Sequence, residues 1–173
     1  MVTCRFYKQR TLPRAYRKQI LNRRKFNKLC QGQIPYKWTS EELPKSFLIG
    51  VALRPVRRSN LPQEVVAFML VYDHKHVTEL DGRPRPVCRR KELYLNLMCS
   101  GLKGAGSTLL KAFYKKAKTL KKKVIRLYAL EGALAYWAKH GFIECDDPEQ
   151  LMGCYRRRYR LDRTGGFRMT KVV

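Results

Sequence analysis

The feature that most constrains the fold is a strand, a glycine-rich loop and an amphipathic helix that follow one another directly. Leu93, Leu95 and Leu97 alternate with other side chains over residues 92–99, which is the pattern of a strand. Residues 101–106 then read GLKGAG, and from 105 to 120 apolar residues recur three and four positions apart. The unit predicts a tight turn from the end of a strand into the first turn of a helix.

This loop has the properties of an anion-binding turn. Glycines allow close approach and positive φ angles, and the amides and dipole at the helix start favour negative charge. Lys103 adds a cation. The order GxxGxG differs from both the P-loop and the Rossmann GxGxxG motif. We predict a pyrophosphate cradle, and a turn that needs glycine only for its shape stays open as the alternative.

The rest of the chain predicts an α/β (α+β) fold with a mixed central sheet and helices on both faces. Strands come first and later alternate with helices. The length of 173 residues suits a single domain over 1–173, with a basic helical segment at about 1–40. The expected helices span 11–29, 105–120 and 131–139, and the expected strands span 47–53, 64–72, 92–99, 124–130, 142–145 and 152–161, with connections at 31–46 and 73–90.

Together with the strand VIRLYAL and the ending AYWAKHGF, this unit resembles the acetyl-CoA-binding half of the GNAT superfamily over roughly residues 45–160. In that family an Arg/Gln-x-x-Gly-x-Gly/Ala loop holds the CoA pyrophosphate, and Gly104 and Gly106 match its glycines. The preceding strand pairs with the pantetheine arm, which lies in a splay between two parallel strands. The resemblance implies a divergent member that binds acetyl-CoA through Leu97, Cys99, Gly101, Leu102, Lys103, Gly104, Ala105, Gly106 and Ser107.

The chain departs from the family pattern at three positions. Gly101 stands where the family usually has Arg or Gln, and Leu130 falls near a frequent Asn. The tyrosine that often protonates the departing thiolate falls on Trp137, whose N–H is not acidic enough for this role. Tyr136 beside it is the candidate acid, although it lies about 100° around the helix. Core packing of both aromatics is the alternative.

A base is needed to take a proton from the attacking amine. Glu92 is the candidate, at the start of the strand that resembles the pantetheine strand, and Glu64 starts a neighbouring strand. Both could equally be solvated strand ends. His140 lies at a helix C-terminus, where a cation is favourable in any case. Proton loss through water would need no dedicated base.

Charge predicts an anionic partner, either nucleic acid or an acidic protein surface. Lys and Arg number 38 against 13 Asp and Glu, for a formal net charge of +25, and the first acid is Glu41. Such a charge repels itself unless an anion is near. A solvated basic surface is the alternative. The candidate contacts are Arg14, Arg17, Arg23 and Arg24 in the N-terminal helix and Arg156, Arg158 and Arg160 in the last expected strand.

Six cysteines form no CxxC pair and no metal-finger spacing, so we expect reduced structural thiols and no metal site. His74 and His76 are expected to be solvated rather than metal-bound. No apolar run is long enough to span a bilayer. These features indicate an intracellular, reducing location: cytoplasm, nucleus or a virus particle.

Two functions stay open on the sequence. One is an acyl-CoA-dependent N-acetyltransferase, supported by the glycine loop. The other is a catalytically inactive GNAT-fold protein, basic and structural or nucleic-acid-binding, in a large assembly such as a virion or ribonucleoprotein. Charge and the missing family residues support the second, but the cofactor loop is the only chemistry that the sequence displays and puts the first slightly ahead. Whether the chain is an enzyme is undecided at this level.

Overall fold

A computed structural model describes residues 1–32, 34, 36–56, 63–80, 83–144 and 167–173. The helices are α1 (Arg14–Ile20), α2 (Arg23–Cys30), α3 (Tyr36–Glu42), α4 (Ala105–Thr119) and α5 (Leu134–Lys139). The strands are β1 (Thr3–Tyr7), β2 (Leu48–Pro55), β3 (Gln63–Tyr72), β4 (Val77–Leu80), β5 (Arg83–Pro86), β6 (Glu92–Ser100), β7 (Val124–Ala129), β8 (Ile143–Glu144) and β9 (Phe167–Val172).

Seven of these strands form one mixed sheet in the order β1-β2-β3-β6-β7-β9-β8. Every pairing in it is antiparallel except β6 with β7, which run parallel. Strands β4 and β5 form a separate hairpin within the segment expected to be a loop. Strand β3 is buried along most of its length, as its nearly unbroken apolar sequence predicts.

Helices cover both faces of the sheet, as expected. On one face α4 buries Leu109, Leu110, Phe113 and Ala117 against β2, β3 and β6. On the other face Ile20 of α1 and Phe26 of α2 pack on β2 and β3. Because both faces are covered, β6 is held from two sides. Among the described residues, no helix combines the length and the apolar character needed to cross a bilayer.

The N-terminal region differs from the expectation of one helix over 11–29. Helix α1 ends at Ile20, and Leu21 is its C-cap. The side chain of Asn22 then accepts a hydrogen bond from the Lys25 amide at 3.1 Å and caps the start of α2 as a new helix. The prediction of a single helix rested on the apolar repeat alone, and the basic residues on both sides of Asn22 give no sign that one helix ends and another begins. An edge strand, β1, and helix α3 were also not predicted.

The C-terminal strand also differs from the expectation. The expected strand over 152–161 lies outside the described residues. On the side away from β6, strand β7 pairs with β9, with Val124 opposite Val172 and Ala129 opposite Phe167. Its sequence, FRMTKV, has only two residues that are fully buried, Met169 and Thr170, so it lacks a clear alternation.

Candidate functional site

The glycine loop is folded by Ser100, the last residue of β6. Its hydroxyl accepts a hydrogen bond from the Gly106 amide (3.1 Å) and donates one to the Leu102 carbonyl (3.1 Å). Gly104 caps α4 with φ +80°, a conformation that favours glycine. Ser100 was not predicted to shape the loop, although a serine directly before a glycine loop is a typical local hydrogen-bonding residue.

The head of α4 leaves backbone donors available. Among the described residues, the amides of Lys103, Gly104 and Ser107 find no protein acceptor. A Cβ placed on Gly104 would meet no protein atom within 4 Å, so that position faces open space. Lys103 is exposed beside it. These features fit a bound diphosphate, which needs several N–H donors and a nearby positive charge.

Next to this loop the two parallel strands separate. Pairing of β6 with β7 covers Glu92–Leu95 opposite Val124–Leu127 and then stops. At the same place β6 carries a bulge against β3: Leu95 lies opposite Val71 and Leu97 opposite Leu70, which leaves Asn96 as the extra residue. The β6 backbone from Asn96 to Ser100 is therefore not paired with β7 and runs from the bulge to the glycine loop.

The residues expected to bind a cofactor have different roles along this strand. Leu97 and Cys99 turn their buried side chains into the core under α1 and α2, so only their backbone borders the gap between β6 and β7. The Gly101 amide donates a hydrogen bond to the Val66 carbonyl at 3.0 Å. A Cβ on Gly101 would approach Leu29 Cδ2 (3.1 Å) and the Lys28 carbonyl oxygen (3.2 Å), so α2 occupies the space that a side chain would need.

Tyr136 and Trp137, adjacent on α5, face different surroundings. Trp137 is buried in the core, edge-on to Phe142 with ring centroids 5.3 Å apart. Tyr136 turns toward the head of α4, and its hydroxyl lies 3.4 Å from where a Cβ on Gly106 would stand. That hydroxyl is buried and makes no hydrogen bond of normal geometry with any described residue. The Tyr136 hydroxyl is therefore available to a ligand at the head of α4.

The electrostatics around Tyr136 keep its phenol protonated. Burial raises the pKa of Tyr136, and the Ser107 hydroxyl opposes this only in part. The Ser107 hydroxyl also forms a hydrogen bond with His140, with Oγ 3.0 Å from Nε2. Burial, together with Lys111, Lys139 and Lys171, lowers the pKa of His140, so its imidazole is neutral at pH 7.

Glu92 is poorly placed to act as the base. It lies at the opposite end of β6 from the glycine loop, where Arg126 donates two hydrogen bonds to its carboxylate (2.8 and 2.9 Å). Burial alone would raise the pKa of Glu92, but Arg126 and the Arg89 amide lower it overall. Glu64 is similarly held by Arg54 and Lys25 (2.7 and 3.1 Å). These ion pairs weigh against Glu92, and its alternative Glu64, as the proton acceptor.

A polar cluster that the sequence analysis missed lies at the bulge instead. Asn96 Nδ2 donates to the Tyr72 hydroxyl at 2.6 Å, and that hydroxyl donates to the Glu42 carboxylate. The His76 ring stacks on Tyr72 with centroids 3.8 Å apart. Burial lowers the pKa of His76, which Glu42 opposes in part. These residues come from α3, β3, β6 and a loop, so no local pattern links them.

Aromatic rings continue from this cluster across the sheet. Tyr72 stacks near Tyr94 (6.2 Å), and Tyr94 meets Tyr128 edge-on (6.0 Å). Tyr128 follows the last β7 residue that pairs with β6. The row of rings therefore borders the point where the two strands separate, and ring faces are suited to a cationic amine. The nearby Glu42 carboxylate pairs with Lys45 at 3.0 Å.

The cysteines correct one expectation. Cys30 of α2 and Cys99 of β6 form a disulfide, so the expectation of six reduced thiols is wrong for this pair. Cys4 and Cys88 are free, and burial raises the pKa of Cys88 to about 12. Cys145 and Cys154 lie outside the described residues. Within the described part of the chain, no group of three His, Cys, Asp or Glu could hold a metal ion.

The candidate anion contacts separate into three groups. Arg14 and Arg24 line a groove between α1 and α2. Arg17 donates to the Gln9 carbonyl at 2.9 Å, and Arg23 is exposed at the start of α2. Arg156, Arg158 and Arg160 lie outside the described residues.

Solved structures match this arrangement over nearly the whole chain. An acyl-CoA N-acyltransferase from Pseudomonas aeruginosa matches 99% of each chain at 13% identity with a TM-score of 0.65. Tetrahymena GCN5 matches 98% of this chain and 95% of its own at 14% identity, with a TM-score of 0.63. An N-acetylglutamate synthase from Neisseria gonorrhoeae, in complex with coenzyme A and N-acetyl-glutamate, matches 99% of this chain and 35% of its own at 8% identity, with a TM-score of 0.55.

The sequence itself matches no family model and no curated protein. At identities this low, the structural likeness shows the fold alone. The chain therefore has the mixed α+β GNAT fold of these acyltransferases, as the sequence indicated.

Proposed function

We propose that this chain is a divergent member of the GNAT superfamily and an acyl-CoA-dependent N-acetyltransferase. One observation carries the proposal: the gap between β6 and β7 opens at Asn96 and leads directly to the free amides at the head of α4. Such a continuous path suits a long ligand with a diphosphate at one part and a thioester at the other. The bound coenzyme in the Neisseria relative supports the same ligand class.

Each part of the path has a distinct task. The amides of Lys103, Gly104 and Ser107 hold the diphosphate, helped by the α4 dipole and the Lys103 ammonium. The unpaired β6 backbone after Leu95 offers donors and acceptors to the pantetheine amides. Acetyl-CoA supplies the activated acyl group as a thioester.

Tyr136 is the proposed proton donor to the departing thiolate, a role that requires the pantetheine arm to bring the thioester back toward α5, because the Tyr136 hydroxyl lies beside Gly106 in the diphosphate-binding turn. That hydroxyl is buried and makes no hydrogen bond of normal geometry with a described residue. Since burial raises the pKa of Tyr136, the phenol holds its proton at neutral pH. This meets the first requirement of a general acid.

His76 is the proposed proton acceptor from the amine. Its ring packs on Tyr72 beside the bulge, and its lowered pKa leaves a neutral imidazole at pH 7. The tyrosine rings beside His76 offer their faces to an ammonium group, whereas the Glu42 carboxylate is already paired with Lys45 at 3.0 Å. A primary amine is therefore the expected acceptor.

The test is transfer of a radiolabelled acetyl group from acetyl-CoA to three amines: a peptide α-amine, a peptide lysine and a small polyamine. Tyr136→Phe should lower kcat about 100-fold with little change in KM for acetyl-CoA. Tyr114→Phe is the matched control, because Tyr114 is also half-buried near His140 and donates only to its carbonyl (3.3 Å). Its activity should stay near that of the parent.

Two results would contradict the proposal. Transfer to none of the three amine classes would leave the alternative, a catalytically inactive GNAT-fold basic protein in a large assembly. Equal activity of Tyr136→Phe and Tyr114→Phe would remove the assigned role of Tyr136.

A further inference from the structure

A basic groove lies between α1 and α2, and the function proposed above uses none of its lining residues. It has a volume of about 630 Å³, and no acidic side chain is among the described residues that line it. The lining residues are Arg14, Ala15, Lys18, Gln19, Asn22, Arg24, Lys25 and Lys28. Five of these eight are cations.

The base of the groove is fixed to the sheet. Gln19 is buried, donates to the Gln63 carbonyl (3.2 Å) and accepts hydrogen bonds from the Val65 amide (2.9 Å) and Lys25 (2.8 Å). Lys25 also pairs with Glu64 at 3.1 Å. These bonds hold α1 and α2 at a set position, so the groove is a built feature rather than a gap between loose helices.

The other four cations are free to meet a ligand. Arg14, Lys18, Arg24 and Lys28 are exposed, and none of them pairs with a carboxylate in the described part of the chain. Arg14 and Lys18 are four residues apart on α1, and Arg24 and Lys28 are four apart on α2. Each pair thus repeats at about 6 Å along its helix. Two rows of cations, one on each helix, suit an anion whose charges repeat along a chain.

The lining also argues against other anionic partners. Among the described residues its lining has no apolar side chain apart from Ala15, and a membrane-binding face needs apolar residues to insert. Acidic protein partners are normally anchored by aromatic side chains in pockets, and no described aromatic residue lines this groove. Phosphate contacts, by contrast, need only cations and amide donors.

We infer that the groove between α1 and α2 binds the phosphodiester backbone of a nucleic acid, without reading its sequence. This goes beyond the acetyl-transfer proposal and does not depend on it. Arg14, Lys18, Arg24 and Lys28 carry the binding, and Gln19 and Asn22 add polar contacts at its base.

The test is fluorescence anisotropy with labelled oligonucleotides of mixed sequence and about 20 nucleotides, single-stranded and duplex, over about 0.05 to 0.2 M salt. The groove variant removes four charges through Arg14→Gln, Lys18→Gln, Arg24→Gln and Lys28→Gln. The matched control removes four exposed charges near the far end of α4 through Lys115→Gln, Lys118→Gln, Lys121→Gln and Lys123→Gln.

We expect the groove variant to bind at least about tenfold more weakly, and the slope of log K against log salt for single strands to become shallower by about 3. The control should keep most of its affinity. If the groove variant does not fold, the pairs Arg14→Gln/Lys18→Gln and Arg24→Gln/Lys28→Gln are measured separately, and each should lose about half of that slope change.

Equal losses in the groove variant and the control would overturn the inference, because overall charge would then explain the binding. Tighter binding of a polyglutamate peptide or of phosphatidylserine vesicles than of either oligonucleotide would also overturn it. Acetyl-CoA turnover is measured in parallel. A variant that loses turnover but keeps oligonucleotide binding bears on the acetyl-transfer proposal and not on the groove.

Discussion

Arg126 and Glu92 form a nearly buried ion pair that joins β6 to β7 at the paired end of the two strands. The carboxylate is 8% exposed and takes two hydrogen bonds from the guanidinium and one from the Arg89 amide. Losing one partner of such a pair leaves a charge with little water around it. The pair therefore holds the strands together just before they separate.

Replacing Arg126 with Met should lower the free energy of unfolding by about 3 kcal/mol at pH 7, because Glu92 is left buried without its partner. Arg54→Met is the control. Arg54 pairs with Glu64 at the surface, so its loss should cost less than about 1 kcal/mol. Denaturant unfolding of both variants measures the difference, and similar costs for the two would contradict the assigned role of Arg126.

The same pair predicts a pH dependence. The pKa of Glu92 is lower in the folded protein, so its contribution is full above the ordinary value of about 4.3 and is lost as pH falls through the folded value. Stability of the parent should therefore fall more steeply in acid than that of Glu92→Gln. Parallel curves for the two proteins would show that Glu92 does not carry this dependence.

At the residue scale, the sequence predicted positions that depend on local geometry and missed those that depend on distant contacts. Gly104 was expected in the loop, and its positive φ explains the glycine. The reason for glycine at 101 lies 72 positions away in the chain, at Leu29, and could not be read locally. Asn96 looked like one more residue of an alternating strand, because a bulge is visible only when β3 is beside it.

At the element scale, helix α2 connects the two sites discussed above. Its exposed side supplies Arg24 and Lys28 to the basic groove. Its buried end packs against Gly101 and is tied to β6 by the disulfide between Cys30 and Cys99. The position of α2 therefore affects the strand that borders the proposed coenzyme site.

Reduction of this disulfide should destabilise the protein. The two cysteines are 69 positions apart, and closing a loop of that length contributes about 4 kcal/mol in the chain-entropy account. The unfolding temperature should fall by about 10 °C on adding reductant, while the double variant Cys30→Ser/Cys99→Ser should not respond. No shift in the parent, together with no disulfide-linked peptides in a non-reduced digest, would contradict the cross-link.

The elements that sequence patterns located are those with long, regular periodicity. Helix α4 and strand β3 have unbroken apolar patterns and were placed to within a residue or two. Strands β1 and β9 lie toward the sheet's edges and are short, with weak alternation. The break between α1 and α2 depends on one asparagine cap within a run of basic residues.

At the scale of the whole molecule, a net charge of +25 and a GNAT fold have to be reconciled. The two properties rest on different residues. Five cations line the groove between α1 and α2, while Glu42 of α3 and a row of tyrosine rings lie beside the bulge. Nucleic-acid binding and acetyl transfer are therefore compatible on one chain and can be tested separately.

The most direct test of the central claim is calorimetric titration with acetyl-CoA at low and moderate salt. We predict one saturable site that persists at moderate salt, is lost in Gly104→Val and is unchanged in Gly32→Val. The two glycines are matched, because both have positive φ (+80° and +70°) and open space at Cβ, but only Gly104 lies in the loop. Absence of a saturable site, or equal loss in both variants, would contradict the claim that the head of α4 and the gap beside β6 hold acetyl-CoA.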